Sequence, residues 1–74
     1  MKVPSISGKK VITVLKRFGF RESRQKGDHV RLMKTVQEKT YKITVPLHDP
    51  LKVKTLLSIL HASDITLDDF LKEL

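Results

Sequence analysis

Apolar residues along the chain change their spacing twice. Val11, Val14, Leu15 and Phe18 fall at i, i+3, i+4 and i+7, the spacing of one buried helical stripe. Ser7 precedes the stripe and suits a cap for the first free N–H groups, while Gly19 follows it and suits the left-handed conformation that ends a helix. Lys16 and Arg17 stand in the last turn, where the helix dipole favours cations. The pattern predicts a helix over about residues 8–18. From Phe20 the period becomes two. Val30 and Leu32 alternate with His29, Arg31 and Met33, and Tyr41, Ile43 and Val45 alternate with Lys42 and Thr44, as in strands with one buried face. Phe20–Gln25 is a weaker strand, since only Phe20 is clearly apolar. Lys26-Gly27-Asp28 supplies the first turn and about 34–39 the second, and Pro46 ends the third strand because it cannot donate to a ladder. Helical spacing then returns. Asp49-Pro50 reads as a cap followed by proline at the first helical position, ahead of a stripe of Val53, Leu56, Leu57 and Leu60. Ala62-Ser63-Asp64 interrupts it, Thr66 with Asp69 has the form of a capping box, and Leu67, Phe70, Leu71 and Leu74 make a third stripe. The expected fold is α+β: a helix, three antiparallel strands, a helix and a short helix, with both major helices on one sheet face. In that arrangement Leu57→Ala is expected to cost roughly 2–5 kcal/mol.

Length and composition narrow what such a fold does. At 74 residues the chain reads as a single domain, residues 1–74, too small for a Rossmann domain or a barrel and without room for a deep enzyme cleft. The absence of cysteine removes disulfides, thiolate zinc sites and cysteine nucleophiles. No apolar run exceeds two residues, which predicts neither a membrane span nor a signal peptide and leaves the cytoplasm as the expected location. The net charge is +7, and it is unevenly spread: residues 1–42 hold twelve of the fifteen bases but three of the eight acids. A basic surface confined to one part of a small fold suits a polyanion, nucleic acid before acidic lipid.

Few residues are suited to catalysis. The acids form no obvious set for two-metal phosphodiester chemistry, and His29, His48 and His61 lack the spacing of a metal site, so no metal or cofactor is implied. A serine triad needs a larger scaffold. Histidine acid–base chemistry remains. Strand alternation turns His29 and Arg31 outward, beside Arg24 and Lys26 of the preceding strand and turn. RNA cleavage needs such a set: one group that moves a proton at the 2′-OH or the leaving oxygen, and cations that stabilise the charged transition state. An exposed histidine is more often a solvated surface group, so the residues alone leave both roles open. His48 is expected to shape a loop and His61 to meet a helix dipole. The candidate RNA-binding residues are Lys9, Lys10, Arg24, Lys26, Gly27, Arg31 and Lys42, with Arg21 beside them. Phe18, Phe20 and Tyr41 lie on inward phases, so phosphate and shape recognition is expected rather than base stacking.

Several segments, in order, resemble the HicA family, the mRNA interferase toxins of HicAB toxin–antitoxin systems. Ser7-Gly8 and Gly19-Phe20 are similar to the family's start, and Arg24-Gln25-Lys26-Gly27-Asp28-His29 resembles its stretch of a basic residue, glycine, serine and histidine before a strand. Thr44-Val45-Pro46-Leu47-His48 resembles T-V-P-x-H, Leu51, Thr55-Leu56 and Ile59-Leu60 resemble the segment around L-x-x-G-T-L-x-x-I-L, and Ile65, Phe70 and Leu71 resemble the closing I-x-x-x-x-F-L. The resemblance implies a double-stranded-RNA-binding-domain-like α-β-β-β-α fold, a catalytic histidine at His29, mRNA as substrate and a HicB-like antitoxin as partner, with no membrane and no small-molecule cofactor. Two positions depart from the family. Asp28 stands where serine is usual, and a contact with His29 would favour a general-acid role. Lys54 stands where glycine is usual. The readings to separate are a metal-independent endoribonuclease toxin, a non-catalytic RNA-binding module of the same fold, and a domain that mainly docks an acidic partner. An acidic antitoxin surface is expected to pack over Arg24–Arg31 and occlude His29.

Overall fold

Gly8 marks the point where the first helix meets the end of the sheet. The computed structural model of the chain describes residues 3–74. Its elements run α1 (Gly8–Arg17), β1 (Arg21–Lys26), β2 (His29–Val36), β3 (Lys39–Pro46), α2 (Val53–Ala62) and α3 (Leu67–Lys72). Ser7 Oγ accepts the Lys10 N–H at 3.1 Å, and the Gly8 N–H donates to the His48 carbonyl at 2.8 Å. A Cβ on Gly8 would overlap the Pro46 carbonyl oxygen, so this approach requires glycine. The helix ends at Phe18, ahead of Gly19 at φ +96°. The Arg17 guanidinium then donates to the Glu73 carbonyl at 2.7 Å and ties this end to the end of α3.

The strands form one antiparallel sheet in the order β1-β2-β3. Val30 pairs with Val45 and Leu32 with Ile43, all four buried, and α1 and α2 both pack against β3. The α+β order and the single helix-covered face are those the pattern predicts. Every residue of β1 is exposed, which explains its faint sequence signal. The second turn is tighter than the expected 34–39 loop. Strand pairing continues through Val36↔Lys39, and only Gln37 and Glu38 turn, with Gln37 at φ +55°. Aromatic contacts hold this far end together: Phe20 meets Tyr41 edge-on at 6.5 Å, with the Lys34 ammonium 5.6 Å above Phe20 and that of Lys39 4.8 Å above Tyr41.

Helix α2 differs from its expected form in two respects. It starts at Val53, with Lys52 as an N-cap that makes no side-chain bond, and Asp49-Pro50 lies outside it as a cis peptide. Leu51 is buried and its N–H donates to the Ile6 carbonyl at 2.8 Å, which holds residue 51 against the segment before α1 and outside α2. The buried stripe is also shifted by one turn. Leu56, Ile59, Leu60 and Ser63 face the core, whereas Val53 and Leu57 are 48% and 42% exposed. The sequence V-K-T-L-L-S-I-L contains two overlapping stripes, and the structure selects the one that Ser63 completes. Ser63 is acceptable there because its hydroxyl donates to the Ile59 carbonyl at 2.7 Å. Thr66 caps α3 as expected, accepting the Asp69 N–H at 3.1 Å, and Phe70 is fully buried. Leu74 is exposed because the helix stops at Lys72.

Candidate functional site

A bulge adds Arg21 to the basic residues on the uncovered face of the sheet. In an unbroken strand Arg21 and Arg24, three residues apart, would point to opposite faces. The register instead shifts between Glu22 and Arg24, with Arg21 paired to Met33, Arg24 to Arg31 and Lys26 to His29. One extra residue, Ser23, is accommodated, and its hydroxyl donates to the Arg31 carbonyl at 3.3 Å. Arg21, Arg24 and Lys26 thereby share one face with His29 and Arg31 of β2 and with Thr44 and Lys42 of β3. No carboxylate occupies any of the paired positions on that face. Glu22 points the other way, to the Lys16 ammonium at 2.6 Å.

Like charges placed directly opposite one another across two strands destabilise a sheet. Arg24 faces Arg31, and among the described residues neither guanidinium has a carboxylate partner, so the arrangement favours an external anion. Arg24, Lys26, His29, Arg31 and Thr44 line an open depression of about 320 Å³, at the small end of the range for ligand pockets. Its openness suits a polymer backbone lying across it. Gly27 forms the turn beside it at φ +60°, and the Gln25 side-chain amide donates to its carbonyl at 3.2 Å.

The sequence-predicted residues fall into three groups. Arg24, Lys26, His29 and Arg31 are brought together, with Gly27 in the adjoining turn. Lys42 is on the same face but farther along, opposite Met33. Lys9 and Lys10 are not part of the depression: they sit in the first turn of α1, and Lys9 lines a separate groove between α1 and the covered side of the sheet. His61 stands in the last turn of α2, as expected.

His48 stands in the loop after β3, as expected, and makes there a contact that the sequence did not show. Asp28 Oδ1 lies 2.8 Å from His29 Nδ1, and Asp28 Oδ2 lies 3.5 Å from His48 Nε2. The contact between Asp28 and His29 that the sequence left open is therefore made. The Leu47 N–H donates to the Asp28 carbonyl at 2.6 Å, which draws the segment after Pro46 alongside the Gly27-Asp28 turn. The signal was in the register: once His29 pairs with Pro46, the next residues of that strand pass beside Asp28. Among the described residues no three His, Asp or Glu side chains gather closely enough to hold a metal, and no helix is long and apolar enough to cross a membrane.

No curated protein and no solved structure matches the chain significantly. The family model of the HicA toxin of bacterial toxin–antitoxin systems matches residues 8–65. That span contains the whole sheet, α1, α2 and the depression around His29. The chain belongs to the HicA toxin family, and a cognate antitoxin is its partner by that membership.

Proposed function

We propose that this toxin is a metal-independent endoribonuclease that cuts mRNA with His29 as its proton-transfer group. The observation that supports this most directly is the depression in which His29 stands among Arg24, Lys26 and Arg31, with Asp28 of the adjoining turn on its Nδ1. Asp28 occupies His29 Nδ1, which leaves Nε2 as the ring nitrogen free for substrate. In the proposed reaction His29 Nε2 takes the proton of a 2′-OH. The O2′–P bond forms, the P–O5′ bond breaks, and the departing O5′ takes a proton from the imidazolium. Arg24, Lys26 and Arg31 stabilise the extra negative charge on the phosphorus oxygens as it develops. The products are a 2′,3′-cyclic phosphate and a 5′-hydroxyl.

The test is cleavage of a labelled mRNA and of the matching DNA, with and without excess chelator. Cutting of RNA should persist in chelator and leave cyclic phosphate ends, and DNA, which lacks the 2′-OH, should be bound but left intact. Cleavage that stops in chelator would sink the mechanism.

Binding should weaken steeply with salt, because neutralising phosphates releases counterions. Replacing Arg24 and Lys26 together is expected to flatten the slope of log affinity against log salt by about 1–2, since each is assigned roughly one phosphate. An unchanged slope would place the RNA on another surface. The same face is where an acidic antitoxin surface would silence the toxin, by covering His29 and neutralising its cations together.

A further inference from the structure

At one end of the basic face two histidines share a single carboxylate. Asp28 reaches His29 Nδ1 with one oxygen, at 2.8 Å, and His48 Nε2 with the other, at 3.5 Å. Asp28 and His29 are consecutive, where the turn after β1 meets the start of β2, and His48 comes from the loop after β3. Their meeting is built by the backbone. The Leu47 N–H is bonded to the Asp28 carbonyl, and the His48 carbonyl is bonded to the Gly8 N–H at the start of α1. The loop carrying His48 is thus fixed on both sides, between the helix and the turn, and glycine at position 8 is what permits so close an approach.

We propose that Asp28 is a positioning residue for His29 and that His48 holds it in that role. The inference rests on the reading of His29 as the proton-transfer group. A carboxylate that accepts the Nδ1–H fixes which nitrogen carries the proton and the direction in which Nε2 points. Asp28 is 60% exposed in its side chain, so a single contact with His29 would leave it free to rotate into water. A second contact, to a histidine whose own backbone is anchored, restricts that rotation. His48 does not line the depression with Arg24, Lys26, His29 and Arg31, so it acts through Asp28.

The alternative role for Asp28 is a mere negative charge beside a polyanion site, and the two roles predict opposite kinetics. Removing a repulsive charge should tighten RNA binding and leave turnover unchanged or faster. Removing a positioning group should lower kcat while KM stays level or falls. For Asp28→Ala we expect kcat to fall about tenfold or more, short of the roughly 10⁴-fold worth of a buried orienting aspartate. The shortfall follows from exposure, because water partly replaces the lost acceptor. His48→Ala should lower kcat in the same direction by a smaller factor. His48→Gln, whose amide still donates, should restore it. Adding His48→Ala to Asp28→Ala should change nothing further, since both act through one link.

Ring nitrogen-15 shifts give a readout that needs no activity. His29 in the wild type should carry its proton on Nδ1, and Asp28→Ala should mix the two tautomers. A kcat for Asp28→Ala at or above wild type, or a His29 tautomer that does not respond to it, would overturn the proposal. If His29→Ala is inactive in that case, the nuclease reading stands and only the link is lost. A His29→Ala protein that cleaves normally removes His29 as the proton-transfer group, and the link with it.

Discussion

Replacing His29 with alanine should slow RNA cleavage by about 10²–10⁴, the usual worth of one general acid–base group, and abolish growth arrest on induced expression. The size of the effect follows from how little else is available. Among the described residues lining the depression His29 is the one side chain that can both take and give a proton, and the arginines and lysine serve as fixed cations. Folding should be unaffected, because the His29 side chain is 55% exposed and contacts a carboxylate, Asp28, that is 60% exposed. RNA affinity should also survive, since Arg24, Lys26 and Arg31 remain in place. The decisive measurement is single-turnover cleavage, alongside circular dichroism and an RNA titration of the same variant. Loss of cutting with an unchanged spectrum and unchanged binding identifies a chemical role. Wild-type cutting by the variant would place the chemistry on a group other than His29 and overturn the mechanism proposed; a wild-type protein that binds RNA without cutting it would instead support occupancy alone. His61→Ala is the matched control, because His61 sits at the end of α2, away from the depression.

How far the sequence revealed this site depends on what each residue's position required. Strand alternation was enough for His29 and Arg31, because Val30 and Leu32 on either side are unambiguous core residues. It was not enough for β1, where R-E-S-R-Q-K carries no apolar residue to set the phase. There a bulge decides which side chains face outward, and a bulge leaves no mark in an all-polar strand. Lys9 and Lys10 belong to a helix start that the sequence places with the basic sheet face, whereas α1 packs on the opposite side of the sheet. His48 stands in a loop, as its place after Pro46 suggests, but its contact with Asp28, twenty residues away in sequence, leaves no local signal. Only the pairing of His29 with Pro46 brings that loop to Asp28.

The helices show a different limit, and it leads to the second large effect. Leu56→Ala should destabilise the protein by roughly 2–5 kcal/mol, and Leu57→Ala, one residue on, by a small fraction of that. Periodicity ranked the two equally, since each belongs to an apolar stripe of α2. Burial does not: Leu56 is 2% exposed within the cluster that includes Ile59, Leu60 and Phe70, whereas Leu57 is 42% exposed. Truncating Leu56 removes buried methyl groups and leaves a cavity beneath the helix, so transfer and cavity costs add. Truncating Leu57 removes surface that water already reaches. Net stability for a natural domain is about 5–15 kcal/mol, and a chain this short is expected near the low end, so the first change uses up much of it. Thermal melts should show the contrast directly, at about 4–8 °C lost per kcal/mol for a domain of this size. Equal shifts for the two variants would mean that α2 is rolled about its axis relative to the structure described, with Val53 and Leu57 turned into the core.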